Sequence, residues 1–312
     1  MENLILSFEV VFPLFAVMAL GYLIRRLNLF GDETVRQMNN VVFRFFLPVL
    51  LFRNVYNTNL SGTFNPKLTA FAVISVLCSF VLAFGAVMLL EKDNRKRGVL
   101  IQGIFRSNFI IFGIPVTISL FGDKSAGIAS LLIAFIIPIF NLLAVLVLEI
   151  FRGGKVNFKK VLKGVVTNPL IIASLLAVLF LASSIRIPPL ISGILDDIGG
   201  VATPLALFLL GASFTFSKMK GRGKQLMIGI GGKLVAVPLI FLTIGILLGF
   251  RGAELVVLLA LFGSPAAVSS FIMAQQMDGD GDLAGQLVVL GSLCSIITMF
   301  IWIFILKQAA FI

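Results

Sequence analysis

A polar cluster interrupts a long apolar stretch at residues 105–116, which read FRSNFIIFGIPV. Arg106 and Asn108 carry side chains that donate hydrogen bonds, which is the chemistry that binds an anion such as a carboxylate. After four further residues comes a Gly-Ile-Pro, formed by Gly113, Ile114 and Pro115. Glycine lets the backbone leave helical geometry, and proline removes an amide donor. The stretch therefore predicts an opened helix with anion-binding groups beside the opening.

A second stretch, FGSP at residues 262–265, has the same form, with Gly263 and Pro265 as the predicted break. Ser264, Ser269 and Ser270 surround it. Non-helical backbone at membrane depth is tolerated only where it faces protein or a water-filled cavity. A pair of breaks at matching positions predicts a crossover of two discontinuous helices around a central binding site, and a plain proline kink at each position is the alternative.

The polar residues near these breaks have functional and structural interpretations. A charge at membrane depth costs at least about 2.5 kcal/mol, so Arg106 is predicted to supply positive potential to a site. Its alternative is snorkelling of the long side chain to the cytoplasmic interface. Asn108 and Asn141 are too short to snorkel, and their alternative is a hydrogen bond between helices. We predict that Asn108 contacts the ligand and that Asn141, Ser264 and Ser269 complete a polar shell.

Several kinds of chemistry are disfavoured by the residue content. The chain has no histidine, and no nucleophile-base pair, metal-ligand cluster or paired carboxylate occurs in any apolar stretch. We therefore predict neither an enzyme nor a metal or cofactor site. Arg44 and Lys233 are further cations without adjacent acids, so an anion is the favoured ligand. Asp197 is a candidate site for a coupling proton or sodium ion, and the alternative is that it balances the positive end of a helix.

The elements that must position these residues are membrane helices. The 312 residues are 59% hydrophobic and 12% charged, which is typical of an all-α membrane protein. The net charge is +11, but the basic residues form short clusters between apolar runs. This pattern is typical of loop charges that set the orientation of membrane spans, and not of nucleic-acid binding. Ten transmembrane helices are predicted, at about residues 8–25, 36–56, 67–90, 98–120, 126–150, 165–184, 190–217, 227–248, 253–276 and 284–306.

Charge and internal similarity predict how these spans are arranged. Loops after odd-numbered spans carry fifteen Lys and Arg residues and the other side carries six, so both termini are predicted to face outward. Pro13 and Pro169 are 156 residues apart, as are Pro48 and Pro204. We predict two inverted five-helix repeats, residues 1–152 and 164–312, joined by a cytoplasmic loop at residues 153–163, with spans four and nine broken.

Motifs along nearly the whole chain resemble the auxin efflux carrier family, which includes plant auxin exporters and bacterial permeases for small carboxylates. They are NPL at residues 168–170, TPLALFLLGASF at 203–214, SPAAVSSFIMAQQ at 264–276, and Asn108 followed after four residues by Gly-Ile-Pro. The resemblance implies that Asn108 contacts a substrate carboxylate. It also implies a fold similar to bile-acid symporters and sodium/proton antiporters, and elevator-type transport, often as a homodimer. The scaffold would be spans 1, 2, 6 and 7, and the transport domain spans 3–5 and 8–10.

The chain departs from the plant members at two places. Only residues 153–163 stand where plant exporters have a large cytoplasmic loop, and Phe-Arg-Ser precedes Asn108 where the plant pattern has Leu-Pro. We therefore predict a secondary transporter of a small organic anion such as malate or malonate in the cytoplasmic (inner) membrane, coupled to H⁺ or Na⁺ if coupled at all. The alternatives are a substrate-sensing membrane protein of the same fold and an exporter of auxin-like aromatic carboxylates.

Overall fold

The computed structural model describes residues 2–58, 65–121, 123–152, 158–183, 185–215 and 219–312, and every regular element in these residues is a helix. Three of the connections between helices are π-helical turns, at Val42–Phe46, Phe109–Gly113 and Gly232–Ala236. The α-helices are α1 Glu2–Arg26, α2 Asp32–Val41, α3 Leu47–Tyr56, α4 Pro66–Leu90, α5 Asn94–Phe105, α6 Ile114–Phe121, α7 Asp123–Phe151, α8 Phe158–Val166, α9 Pro169–Ala182, α10 Pro189–Ser213, α11 Gly223–Gly231, α12 Val237–Leu247, α13 Gly252–Gly263, α14 Ser269–Gln276 and α15 Gly281–Gln308.

Five described helical segments are long and apolar enough to cross a membrane. They agree closely with predicted spans three, five, seven, eight and ten, and they are Pro66–Leu90, Gly127–Phe151, Pro189–Ser213, Gly223–Leu247 and Gly281–Gln308. The number rises to seven if each of two bent helix pairs is one span. By length and composition the described residues therefore support a multi-pass membrane protein with five to seven candidate spans, and they do not confirm the predicted count of ten.

The predicted connecting loop at residues 153–163 is partly helical. Residues 153–157 lie outside the described residues, and Phe158–Val166 forms helix α8. The chain then bends by 56° between Lys159–Val166 and Pro169–Ala182. Asn168 stabilises this bend, because its side-chain oxygen accepts a hydrogen bond of 2.9 Å from the amide of Leu170 and so caps α9. The Asn-Pro-Leu motif is thus the start of α9. The basic end of the predicted loop, which precedes this motif, lies on helix α8.

The contact between α1 and α10 is close enough to require glycine. A Cβ added to Gly21 would lie 1.9 Å from the carbonyl oxygen of Phe208, and one added to Gly211 would lie 1.9 Å from that of Met18. Both obstacles are backbone atoms, so no side-chain movement could relieve the clash. Small residues at such positions let two membrane helices approach closely and gain van der Waals contact. The pairing of the first helix with α10 therefore depends on these two glycines.

We expect Gly21→Ala to destabilise the protein by about 1–3 kcal/mol, because the new methyl group would push α1 and α10 apart. Thermal unfolding of the purified protein in detergent would measure the loss as a lower midpoint temperature. Gly200→Ala on α10 is the matched control, since a Cβ there meets no heavy atom within 4 Å. Equal midpoints for Gly21→Ala and Gly200→Ala would contradict the close contact.

Candidate functional site

The helix that contains the first predicted break is interrupted at two places, one of them seven residues before the predicted position. Helix α5 ends at Phe105, residues Arg106–Asn108 are not helical, and a π-helical turn at Phe109–Gly113 leads into α6. The chain turns by 55° between Asn94–Phe112 and Pro115–Phe121. This bend falls at the predicted crossover residues Gly113, Ile114 and Pro115, where the π-helical turn runs directly into α6. Arg106–Asn108 form a further, non-helical opening before it.

The second break contains its predicted proline. Helix α13 ends at Gly263, residues 264–268 are not helical, and α14 begins at Ser269. The two breaks meet directly, because the amide of Asn108 donates a hydrogen bond of 2.8 Å to the carbonyl oxygen of Pro265. This bond pairs one backbone group from each opened segment. The FGIP and FGSP motifs therefore differ in structure, since the first is helical and the second opens the chain.

Arg106 lies inside the protein, with 4% of its surface exposed. One terminal nitrogen donates to the oxygen of the Asn141 side chain at 2.8 Å and to the hydroxyl of Ser269 at 2.9 Å. The other donates to the sulfur of Met273 at 2.7 Å. This inward placement differs from the snorkelling alternative. All three acceptors are neutral, and Arg106 forms no ion pair with a described residue, so its charge is left without a nearby counter-charge.

Asn108 presents a side chain with hydrogen-bonding capacity to spare. It is 7% exposed, and its side-chain amide nitrogen is buried with no hydrogen-bond partner among the described residues. The hydroxyl of Ser107 is in the same condition. A buried polar atom without a partner costs about 1–3 kcal/mol, and native proteins usually satisfy such atoms with protein, water or ligand. Two such atoms side by side at an opened helix indicate a place where something else binds.

Both side chains line a cavity of about 420 Å³, a size typical of small-molecule sites. Its walls come from α3, α7 and α10 and from the two breaks, and Arg106, Asn141 and Ser269 also line it. The cavity also has apolar lining residues, among them Leu50 and Ile137. None of the described lining residues carries a carboxylate. The cavity thus combines a buried cation and unpaired donors with no described negative charge.

Other predicted residues lie away from this cavity. Ser264 is fully buried and does not line the cavity, because its hydroxyl donates to the carbonyl of Ala260 at 2.5 Å within α13. Ser270 is buried on α14 and also does not line it, and Asp197 is exposed on α10. Among the described residues, no group of three or more His, Cys, Asp and Glu is placed to hold a metal ion. The structure thus brings together Arg106, Asn108, Asn141 and Ser269.

The cavity also contains polar residues that were not predicted. Four of them lie along the end of α3 and just beyond it, namely Arg53, Asn54, Asn57 and Thr58. In the sequence, Arg53 is one of the six Lys and Arg residues assigned to the side opposite the more basic loops. The signal that could have found this group is the helical spacing of Leu47, Leu51, Asn54 and Thr58, which places them on one face of α3.

The described residues form apolar helices in which two opened segments meet beside a polar cavity, and this is the form of a membrane transport protein. The sequence matches the family model described as membrane transport protein over residues 6–160 and 154–303. The chain therefore belongs to this family of transporters, the auxin efflux carrier family.

Three relatives show how broad this similarity is. A protein of Methanothermobacter thermautotrophicus named "Uncharacterized transporter" is 26% identical over 303 residues, 95% of this chain and 97% of its own. One of Rhizobium meliloti named "Putative malonate transporter" is 22% identical over 307 residues, 96% of each chain. "Auxin efflux carrier component 8" of Arabidopsis thaliana is 30% identical over 126 residues, 37% of this chain and 33% of its own. The names agree on transport and differ in what is transported.

We expect Asn141→Ala to destabilise the protein by about 1–3 kcal/mol, because it removes an acceptor from the buried guanidinium of Arg106. Ser174→Ala is the matched control: its hydroxyl accepts only a long hydrogen bond of 3.4 Å from the Asn141 amide. Its removal should cost about 0.5 kcal/mol. Thermal unfolding of both variants in detergent would measure the difference, and an unchanged midpoint for Asn141→Ala would show that Arg106 does not depend on this acceptor.

Proposed function

We propose that this protein is a secondary transporter that moves a small organic anion with a carboxylate group across the cytoplasmic membrane. The observation that carries the proposal is the unpartnered side-chain amide of Asn108 in a cavity of about 420 Å³, beside the buried charge of Arg106. A carboxylate oxygen accepts the hydrogen bond that this amide lacks. The same oxygen gains from the positive potential of a guanidinium that no described carboxylate neutralises.

The geometry of the breaks adds to this preference for an anion. Helix α14 begins at Ser269, a residue that lines the cavity. The N-terminal end of a helix carries partial positive charge from its unpaired amides, which favours a negative ligand. Arg106 donates hydrogen bonds to Asn141 and Ser269. Its proposed role is to supply positive potential and to hold these two side chains in place. Asn108 is the residue assigned to direct contact with the carboxylate.

The proposed architecture is ten spans in two inverted repeats, with both termini outside. Three spans would be added to the seven found by length and composition. They would be formed by α1, by α2 with α3, and by α13 with α14. The packing supports the proposed scaffold of spans 1, 2, 6 and 7, because α1 lies against α10 and α3 lies against both α9 and α10. The cavity is lined by α3 and α10, by α7 and by the breaks. Sliding of the crossover past this scaffold would expose the ligand to each side in turn, as an elevator does.

A short dicarboxylate such as malonate or malate is the substrate class we propose. The named malonate transporter of Rhizobium meliloti is similar over 96% of both chains, whereas the plant auxin carrier is similar over 33% of its own length. Coupling to a proton or sodium ion and assembly as a homodimer belong to the same proposal. Asp197, the candidate for coupling, is exposed and does not line the cavity, so its position adds no support.

Uptake of labelled malonate into liposomes that contain the purified protein tests this proposal. Asn108→Ala should weaken transport at low malonate concentration by about tenfold to a hundredfold, because a hydrogen bond to a charged group contributes about 1.5–3 kcal/mol. Ser295→Ala is the control, since its hydroxyl is buried but donates to the carbonyl of Ser292 in its own helix. Unchanged malonate uptake by Asn108→Ala would exclude Asn108 as the carboxylate ligand.

Counterflow in the same liposomes separates a transporter from a sensor. Liposomes that contain the protein and are loaded with unlabelled malonate should accumulate labelled malonate from outside. A carrier exchanges its ligand across the bilayer, and a pure binding protein cannot. An aromatic carboxylate such as indole-3-acetate, tried as a competitor, distinguishes the auxin-like alternative. Binding of malonate without exchange would support the sensor.

A further inference from the structure

The substrate cavity has a second group of polar lining residues, on α3. Seven of its lining residues lie from Leu47 to Thr58, so the cavity extends along this helix. At about 1.5 Å per residue, Arg53 stands about 9 Å along the helix axis from Leu47. The cavity is thus lined by two polar groups, one at the breaks and one formed by Arg53, Asn54 and Asn57.

Helix α10 holds Arg53 in place from one side. The ε-nitrogen of Arg53 donates to a carboxylate oxygen of Asp196 at 2.6 Å, and the amide of Asn57 donates to the same oxygen at 3.3 Å. Gly199 lies so close that a Cβ there would be 3.1 Å from the δ-carbon of Arg53. These contacts use only one edge of the guanidinium. Its two terminal nitrogens make no hydrogen bond to a described residue, and 34% of the side chain is exposed.

The free end of the guanidinium is suited to a carboxylate. Two terminal N–H groups in one plane can donate in parallel to the two oxygens of a carboxylate, a geometry that lysine cannot reproduce. Asp196 offsets part of the charge of Arg53, so the contact depends on this paired geometry and not on net charge alone. The same cavity offers the apolar side chains of Leu50, Ile133 and Ile137 to a short carbon chain.

We propose that Arg53 binds the second carboxylate of a dicarboxylate substrate whose first carboxylate is bound at Asn108. Asp196 is a positioning residue that fixes the orientation of Arg53. This inference rests on the proposed function, since it takes the cavity to be the substrate site. It adds that the substrate joins the two sides of the cavity, with one carboxylate on the α3–α10 side and one at the crossover. The protein therefore selects short dicarboxylates over monocarboxylates of the same chain length.

Binding of malonate and propionate to the purified protein by titration calorimetry tests the inference, because the two acids have the same carbon chain and differ in the second carboxylate. Wild type should bind malonate at least about tenfold more tightly than propionate. Arg53→Gln should weaken malonate binding by about tenfold or more and leave propionate binding within about twofold. Lys67→Gln is the control, since Lys67 bonds to the carbonyl of Leu248 and does not line the cavity.

Two further variants address folding and positioning. Arg53→Lys keeps the charge and should fold even if Arg53→Gln does not, yet it should lose the preference for malonate because it lacks the planar fork. Asp196→Asn should weaken malonate binding less than Arg53→Gln, again without an effect on propionate.

The inference would be overturned if Arg53→Gln weakened the binding of malonate and propionate equally, or if the wild type bound the two acids with equal affinity. Either result would leave the proposed function standing. Asn108→Ala separates the two proposals, because unchanged binding of both acids in that variant would refute the proposed site itself.

Discussion

The hydrogen bond from the amide of Asn108 to the carbonyl of Pro265 is the contact on which the site depends. A membrane interior offers no water to an unpaired backbone group, so a helix can open there only if its freed groups find partners in the protein or face a wet cavity. Each break supplies a group that the other needs. The two opened segments therefore stabilise each other, and neither arrangement would be tolerated in an isolated helix.

Opening the helices also makes room for a buried charge. Arg106 lies in the first break, and its neutral acceptors are Asn141 on α7 and Ser269 and Met273 on α14. These contacts satisfy the guanidinium donors without cancelling the positive charge. The result is a cavity with a fixed potential, unpaired donors on Ser107 and Asn108, and apolar walls. Such a cavity differs from a plain packing defect, because its polar groups have a defined sign and direction.

The sequence predicted the helices better than the details of the site. The apolar runs at residues 67–90, 126–150 and 284–306 match α4, α7 and α15 within a few residues, because hydrophobic length is a local property. A break was expected at Gly113 to Pro115, and the chain bends there by 55°. It also opens at Arg106 to Asn108, which was not expected, because that opening depends on the partner segment that contains Pro265. Ser264 was expected in the polar shell, but its hydroxyl donates to the carbonyl of Ala260 in α13.

What the sequence determined by itself is the class of structure: an apolar helical membrane protein with helix-breaking residues in two of its apolar runs, and an arginine and an asparagine before the first of them. These follow from composition and spacing, which act along the chain. Only the tertiary structure decided that Arg106 turns inward, that Asn108 keeps a donor unpaired, and that Arg53 faces the same cavity while Asp196 holds it. Each of these depends on groups more than thirty residues away in sequence, and the side on which a helix meets its neighbours is set by packing of the whole fold.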